Sequence, residues 1–418
     1  LAPRFMRIDD KNANYATFNA GITSGYTSET TRSADGATVL TFTAESEQLR
    51  VSKQYTITEG SYEIPMSIAV TNLGSTALSV PMNVQIGSGL GEGFDKASYV
   101  FAGPIIGNKE DNEKKLPEKV KDPIVLANPQ WGAYTSKYFL FAFMSDAFDN
   151  AQIVKQDASA VTQLNGTLTV PAGESSSLSD AKLFVGPKYY NPLNAYDIGI
   201  QKTIDYGIFF FLGIPMARLM NFFYSFVNNY GIAIIFLTII VKLITLPLTL
   251  KSMKSMKAMS RMQPEVMALR EKYKGDPQRM NAATMELYKK HGANPVSGCL
   301  PMLIQLPVFV ALYNALLVSI ELRGAPFFGW ITDLSLKDPY YITPIIMGAS
   351  MFITQKMTPT TADPTQQKIM LIMPIVFTFM FLNFPAGLVV YWLTNNILSI
   401  VQQFIINKQT PKPAVAAK

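Results

Sequence analysis

The sequence of 418 residues has little cysteine, little histidine and little charge. It contains a single cysteine, Cys299, and a single histidine, His291. These counts exclude a disulfide-rich scaffold, most zinc sites, histidine-based catalytic triads and thiol redox pairs. Charged residues make up 16% of the chain, whereas soluble domains average about 25%. Because 48% of the residues are hydrophobic, part of the chain is expected to lie in an apolar solvent.

The charges that are present divide unevenly along the chain. Residues 1–200 hold 16 Lys and Arg against 21 Asp and Glu, a net charge of −5. Residues 201–418 hold 20 Lys and Arg against 9 Asp and Glu, a net charge of +11. The chain therefore consists of two parts with opposite electrostatics.

Residues 1–200 show the period-two alternation of apolar and polar side chains that is typical of β-strands. The clearest runs are residues 38–45, 49–57 and 62–70, followed by the shorter runs 138–143, 168–170 and 183–185. Clusters of Gly, Asn, Ser and Pro separate them, which predicts an antiparallel β-sandwich. Two roles remain open for this domain: a carbohydrate- or peptide-binding groove, or a structural domain without a ligand.

Residues 229–410 contain long apolar runs that predict an all-α transmembrane core of five helices. The last run would reach roughly 58 Å as one helix, against a hydrocarbon core of about 30 Å. It must therefore turn back, and residues 383–387 offer the hinge. The predicted spans are about 230–250, 298–320, 341–357, 369–384 and 387–406.

Residues 201–228 have a mixed character. They are apolar and aromatic but include Gly213, Pro215, Arg218 and Asn221. This mixture predicts an amphipathic helix that lies in the membrane interface, with a true span as the alternative.

The connections between spans predict the orientation of the chain. Residues 251–297 hold ten Lys and Arg against four Asp and Glu. The positive-inside rule therefore places this segment and the tail, residues 411–418, in the cytosol, with the β domain on the other side of the membrane. Because no apolar signal precedes the β domain, a further membrane segment upstream of residue 1 is expected.

The segment 251–297 also has helical spacing on both sides of a Gly275-Asp276-Pro277 turn, which predicts a helical hairpin. Basic residues beside methionines suit contact with anionic lipid or RNA and adaptable capture of apolar peptide. The alternative is a solvated helix pair whose lysines only fix the topology. The candidate contact residues are Lys254, Met256, Lys257, Met259, Arg261, Arg270 and Lys272.

One charge lies deep within the predicted spans. Lys242 precedes Lys251 by nine residues, which places it about 13 Å below the cytosolic end of the helix at 1.5 Å per residue. A charged lysine at a helix centre costs about 2.5–3.5 kcal/mol on insertion scales. A water-filled recess open to the cytosol would lower this cost, and Thr238 lies one turn away on the same face. A lysine packed between helices is the alternative.

The predicted spans contain no Asp or Glu. This argues against proton-coupled transport and against paired-carboxylate or metal-assisted hydrolysis. The polar residues within the spans favour a hydrated cavity over a dry helix bundle. They include Gln305, Asn314, Tyr391, Asn395 and Asn396.

Several ordered stretches of residues 231–407 resemble the YidC family of membrane protein insertases. They are Ile240-Val241-Lys242, Pro247-Leu248-Thr249, Asn294-Pro295, Gly298-Cys299, Pro301-Met302-Leu303-Ile304-Gln305-Leu306-Pro307, Glu321-Leu322-Arg323, Asp338-Pro339-Tyr340-Tyr341, Gln355-Lys356-Met357, Gln366-Gln367-Lys368-Ile369-Met370 and Phe384-Pro385-Ala386-Gly387-Leu388. The acidic β domain resembles the large periplasmic domain of Gram-negative members, with weaker motifs.

The resemblance implies a multi-pass protein of the bacterial inner membrane that is not an enzyme and needs no metal or cofactor. Its groove would open to the cytosol and lipid and would help to insert and fold nascent membrane proteins, alone or with the Sec translocon. The implied partners also include the ribosome and membrane lipids, but not DNA. Lys242 stands where the family usually has an arginine. The candidate groove residues are Thr238, Lys242, Gln305, Tyr391 and Trp392.

Two other classes of function remain open from the sequence. A small-solute transporter would show pseudo-symmetric halves with interrupted helices, which this sequence lacks. A membrane-anchored scaffold would act through its β domain.

Overall fold

The computed structural model describes residues 15–22, 25–87, 100–114, 119–156, 159–291, 296–357 and 364–409. It divides into two compact units, Leu1–Asp205 and Tyr206–Lys418, so the division falls close to the predicted boundary at residue 200. The predicted fold class, an antiparallel β domain followed by a helical membrane region, is confirmed. The predicted cytosolic tail lies outside the described residues.

The first unit is built from antiparallel strands arranged in two sheets. The strands are β1 Tyr15–Ala20, β2 Thr27–Arg32, β3 Thr38–Glu45, β4 Leu49–Ile57, β5 Glu63–Asn72, β6 Leu78–Gly87, β7 Gly103–Gly107, β8 Asn112–Lys114, β9 Ile124–Ala127, β10 Trp131–Thr135, β11 Phe139–Met144, β12 Asn150–Gln156, β13 Ser159–Val170 and β14 Ser175–Pro187. One sheet has the order β1-β6-β13-β12-β9, and the other has the order β2-β3-β4-β5-β14-β11-β10-β7-β8.

The core of this unit lies between the two sheets. Val84 of β6 and Leu164 of β13 come from the five-stranded sheet, and Ile68 of β5 and Phe143 of β11 come from the nine-stranded sheet. These side chains are almost completely buried. Side chains of these four strands therefore share one apolar layer between the sheets, which is the arrangement of a sandwich.

A lysine is buried in the β domain beyond the end of β14. The Nζ atom of Lys188 donates to Ser136 O at 2.6 Å, Thr135 Oγ1 at 3.1 Å and Thr203 O at 3.3 Å. Burial lowers the pKa of Lys188 to about 7; the Asp205 carboxylate opposes this shift and the Lys114 ammonium adds to it. The three acceptors hold the lysine between the β10–β11 turn and the last residues of the unit.

The stability of the β domain is expected to increase with pH above about 7 because of Lys188. Between this value and the ordinary lysine pKa of about 10.4, the unfolded chain holds a proton that the folded chain has lost. The free energy of unfolding therefore increases with pH in this window. Replacing Lys188→Met should remove much of this increase, and the exposed Lys155→Met serves as the control. Urea unfolding followed by Trp131 fluorescence, with Trp330 and Trp392 replaced by Phe, measures it; an unchanged slope in Lys188→Met would contradict it.

The second unit is helical. A short helix, α1 Tyr190–Ala195, and a 3-10 turn at Ile200–Thr203 end the first unit. The helices that follow are α2 Phe210–Val227, α3 Tyr230–Arg261, α4 Gln263–Lys272, α5 Pro277–Lys290, α6 Val296–Val318, α7 Ile342–Met357, α8 Pro364–Phe381 and α9 Ala386–Gln409. Helices α8 and α9 are separated at residues 382–385, within two residues of the predicted hinge at 383–387.

Three of the described helices are long and apolar enough to cross a membrane: α2, α3 and residues 386–406 of α9. Shorter apolar stretches lie in α6 at Gln305–Val318 and in α8 at Leu371–Phe381. The predicted interfacial segment contains α2, whose 18 residues also meet the length for a span. The number of spans and the interfacial placement of α2 therefore stay predictions.

The described core of the helical unit is formed by residues from six helices, α2, α3, α6, α7, α8 and α9, and from one loop. Leu237 of α3, Leu312 of α6, Met347 of α7, Phe381 of α8 and Val389 of α9 are all buried in it. Helix α9 packs against α3, α6 and α7. Helix α3 packs against α2, α6 and α9, so α3 and α9 together connect most of the bundle.

Candidate functional site: a polar seam between two helices

The ammonium group of Lys242 lies between α3 and α9. Its Nζ atom donates to Ser399 Oγ at 2.7 Å and to Asn395 Oδ1 at 3.3 Å. Both acceptors are neutral, and within the described chain Lys242 has no carboxylate as an ion-pair partner. Within the described chain, a partly buried cation without a counter-ion therefore lies in the largely apolar part of α3, residues 230–250.

A second polar contact joins the same two helices seven residues further along both of them. Gln402 Nε2 donates to Thr249 Oγ1 at 3.0 Å. Because residue numbers increase by seven on each helix between the two contacts, α3 and α9 run in the same direction here. We call Lys242, Thr249, Asn395, Ser399 and Gln402 the polar seam.

Helix α9 uses neighbouring residues to bond α7. Asn396 Nδ2 donates to Ser350 Oγ at 3.0 Å, and Gln403 Nε2 donates to Met357 O at 2.9 Å. The adjacent residues Asn395 and Gln402 face α3 instead. The five polar contacts described here, three with α3 and two with α7, therefore fix the position of α9 between these helices.

Two of the predicted groove residues are brought together beside the seam. Gln305 Nε2 of α6 donates to the Tyr391 hydroxyl at 2.7 Å, and Tyr391 precedes Asn395 by one helical turn. Trp392 faces a different environment, because its ring makes edge contacts with Phe309 and lies against Phe381. Trp392 therefore belongs to an aromatic cluster and not to the seam.

Thr238 is placed differently from its prediction. Its side chain is 1% exposed, and its hydroxyl donates to Ile234 O at 2.6 Å. A threonine in a helix often satisfies its hydroxyl in this way by bonding the carbonyl four residues earlier. In this structure Thr238 therefore offers no polar atom to a groove.

The segment predicted as a hairpin contains the end of α3 together with α4 and α5. Asp276 begins α5 by accepting from Arg279 N at 3.0 Å, with Pro277 at the first helical position and Gly275 in the left-handed region. This is the turn chemistry that the sequence predicts. A small apolar core joins the helices. Its members are Met256, Met259, Met262, Val266, Leu287 and Tyr288.

This core changes the roles of the predicted contact residues. Met259 is buried and Met256 is half-buried in it, because helical spacing turns these methionines toward α5. They are therefore structural in the hairpin and do not form an exposed peptide-binding face. Lys254, Arg261 and Lys272 are exposed, and Lys257 and Arg270 are half-buried. Among the described residues of the hairpin, the exposed methionines are Met267 and Met285.

The end of the helical unit away from the hairpin is covered by the loop between α6 and α7. Ala386 N donates to Leu336 O at 2.7 Å and Gly387 N donates to Leu334 O at 2.9 Å, so this loop is bonded to the start of α9. The Phe327 ring occupies the space that a side chain at Gly231 would need. Glycine is therefore required where α3 meets the loop.

A buried carboxylate holds this loop together. Asp338 Oδ1 accepts from Trp330 Nε1 and Tyr340 N, and Oδ2 accepts from Thr343 N and Oγ1, all at 2.7–2.9 Å. Burial tends to raise the pKa of Asp338, but these hydrogen bonds bring it below its ordinary value. The loop is thereby fixed to the start of α7 as well as to α9.

Family models match both parts of the chain. The model described as YidC periplasmic domain matches residues 12–219, and the model described as 60Kd inner membrane protein matches residues 222–413. Together with the β domain and the apolar helices, these matches define an inner-membrane protein with a periplasmic domain.

Similar proteins that match along most of this chain identify the family. The membrane protein insertase YidC of Syntrophus aciditrophicus (strain SB) is 47% identical over 368 residues, which cover 87% of this chain and 68% of the relative. The protein of the same description from Citrifermentans bemidjiense is 45% identical over 372 residues, with coverages of 88% and 69%. A solved structure described as an active YidC insertase is 20% identical, covers 95% of this chain and 80% of its own, and has a TM-score of 0.44. The chain belongs to the YidC family of membrane protein insertases.

Proposed function

We propose that this chain inserts hydrophobic segments of nascent proteins into the inner membrane along the polar seam, within a groove that opens to the cytosol and to lipid. The observation that carries the proposal is the ammonium group of Lys242, which has only neutral hydrogen-bond partners. A cation in such surroundings needs water or an anionic group to offset its desolvation. A hydrated groove would supply the first, and the polar flank of an inserting segment would supply the second.

The position of the seam supports this direction of entry. Ser399 lies in the second half of α9, Lys242 lies in the apolar part of α3 that continues into the basic hairpin, and the opposite end is covered by the loop around Asp338. A polar flank could then enter from the side of the hairpin without a continuous path through the bundle. The predicted cytosolic location of the hairpin and the closed periplasmic end both belong to this proposal.

The energy for insertion would come from the substrate. About twenty apolar residues transferred from water to lipid gain about 25 cal/mol for each Å² of apolar surface that they bury. The groove needs only to lower the cost of moving the short polar flank. No nucleotide is required by this scheme.

The hairpin would make the first contact with partners. Its exposed Lys254 and Lys272 suit the phosphates of ribosomal RNA or anionic lipid, and its exposed Met267 and Met285 suit an emerging apolar segment. We include the ribosome, the Sec translocon and membrane lipids among the proposed partners on this basis and on the family resemblance.

Cysteine labelling tests the hydrated groove. In a Cys299→Ser background, Lys242→Cys should react with a membrane-impermeant maleimide added from the cytosolic side of inverted vesicles. The reaction should slow when a ribosome-stalled nascent membrane protein is bound, because the flank would occupy the same space. Two controls should react little: Thr238→Cys, which replaces a buried side chain, and Leu243→Cys, which replaces a side chain on the exposed apolar face of α3.

The outcome that contradicts the proposal is equally direct. If Lys242→Cys reacts no faster than Thr238→Cys, or only from the periplasmic side, no groove open to the cytosol reaches this lysine.

A further inference from the structure

Two residues of α9 hold the Lys242 ammonium in one place. Ser399 and Asn395 are one helical turn apart, so their side chains lie on the same face of α9. Each accepts one hydrogen bond from Lys242 Nζ. An ammonium group has three N–H donors, so two of the three are committed to α9.

The hydroxyl of Ser399 can act only as an acceptor toward Lys242. Its own proton is donated to Asn395 O at 2.7 Å, which directs the lone pairs of the oxygen toward the ammonium. Threonine at this position would keep the same hydroxyl, whereas alanine would remove it. The geometry therefore depends on one oxygen atom that a small substitution deletes.

The packing of α9 does not depend on this oxygen. Gln402 bonds Thr249 on α3, and Asn396 and Gln403 bond α7. These contacts remain when Ser399 loses its hydroxyl. The chain can therefore be tested with the helices in place and the ammonium released.

We propose that Asn395 and Ser399 are positioning residues for Lys242, which leave its third N–H as a single charged donor for a carboxylate in the flank of an inserting segment. The inference rests on the proposed function and adds Asn395 and Ser399 as the residues that orient the Lys242 ammonium. In the described chain, no protein acceptor takes this third N–H. Because one N–H presents a point donor, the carboxylate would be bound through one oxygen and not in the bidentate manner of an arginine.

A purely structural role makes a different prediction. Polar side chains between membrane helices often serve only to bond the helices to one another. In that case, loss of the Ser399 hydroxyl would reduce insertion of every substrate alike. A positioning role would reduce insertion only where the flank carries a carboxylate.

The test uses the full chain in proteoliposomes and two model substrates that differ only in their flank. One has three aspartates before its apolar segment, and the other has three asparagines. The quantity measured is the flank ratio, which is the insertion rate of the aspartate substrate divided by that of the asparagine substrate. The variants are Ser399→Ala, Asn395→Ala, Ser399→Thr and Lys242→Ala. Ser350→Ala is the matched control, because it deletes a hydroxyl that bonds the other face of α9 through Asn396.

Ser399→Ala and Asn395→Ala should lower the ratio by about tenfold, the order expected for loss of one hydrogen bond to a charged group. Ser399→Thr, which keeps the hydroxyl, should keep the parental ratio, and so should Ser350→Ala. If Lys242→Ala lowers the ratio while both alanine variants of α9 keep it, the positioning role is wrong and the proposed groove stands. Equal losses for both substrates in Ser399→Ala would also overturn the positioning role. A parental ratio in Lys242→Ala itself would overturn the groove proposal instead.

Discussion

Removal of residues 256–290 is expected to abolish insertion of nascent segments while the helical unit remains folded. The deleted segment contains the small core around Met259, Val266 and Tyr288, which is separate from the core of the bundle. The bundle core around Leu237 and Leu312 therefore loses no packing partner. The capture surface and most of the basic charge of residues 251–297 are lost together. Insertion into proteoliposomes and thermal unfolding in detergent measure the two expectations.

Variants of the undeleted chain can separate the effect of the hairpin's positive charge from that of its exposed apolar surface. Replacing the exposed Lys254, Lys272, Lys289 and Lys290 with Gln removes charge, and replacing Met267 and Met285 with Ser removes exposed apolar surface. We expect the first variant to lose binding to ribosomes or anionic vesicles and the second to lose capture of the apolar segment. Normal insertion by a stably folded deletion variant would show that the hairpin only fixes the topology.

Lys242→Glu should reverse the preference of the groove for acidic flanks. Two unit charges about 4 Å apart interact by about 4 kcal/mol at an effective dielectric constant of 20, so attraction becomes repulsion of similar size. Insertion of a substrate with three aspartates should fall below that of its asparagine counterpart. Lys242→Ala should lose only the attraction, and Lys242→Arg should retain insertion. Rates of insertion with the two substrates give the comparison.

The same three variants can also contradict the proposed role of Lys242 in the groove. If Lys242→Arg, Lys242→Ala and Lys242→Glu all insert both substrates at the parental rate, Lys242 is a lysine packed between helices. The Ser399 and Asn395 contacts would then serve only to satisfy it.

The strands that the sequence predicts correctly are those with one buried face. β3 and β4 have the predicted bounds, residues 38–45 and 49–57, because their apolar and polar residues alternate. β7 and β10 give no such signal, because all five residues of each are buried; Pro104 also interrupts β7, and Gly132 interrupts β10. Period-two alternation disappears when both faces of a strand are covered. β6 does show this alternation, because Leu78, Val80, Met82, Val84 and Ile86 are separated by more exposed residues, so its pattern could have predicted the strand although the runs named above omit it.

In the helical unit, an apolar run predicts which residues lie in the membrane but not where the helix ends. The predicted span 230–250 stops where lysines begin, but α3 continues to Arg261. The additional residues are mainly Lys, Met, Ala and Ser, and most of them favour helix. An apolar run therefore gives the position of the hydrocarbon and leaves the end of the helix undetermined.

The candidate site could be predicted only in part. Lys242 is evident because it is the single charge deep in the spans, and Asn395 is among the polar residues in them. Ser399 is missed because a serine is unremarkable in a membrane helix until its partner is known. The spacing of Tyr391, Asn395 and Ser399, one turn apart in sequence, is the signal that could have found it.

The contacts of α9 also determine which changes of length the protein can tolerate. Asn395 and Asn396 are followed seven residues later by Gln402 and Gln403, and in each pair the first residue bonds α3 and the second bonds α7. A single inserted residue between the pairs would turn every following side chain by about 100°. Both glutamines would then leave their partners for apolar surroundings. An insertion of seven residues would turn them by only about 20°, but it would move them about 10.5 Å along the helix axis, so they would lose their partners as well. Insertions and deletions during evolution are therefore expected in the loops around this helix and not within it.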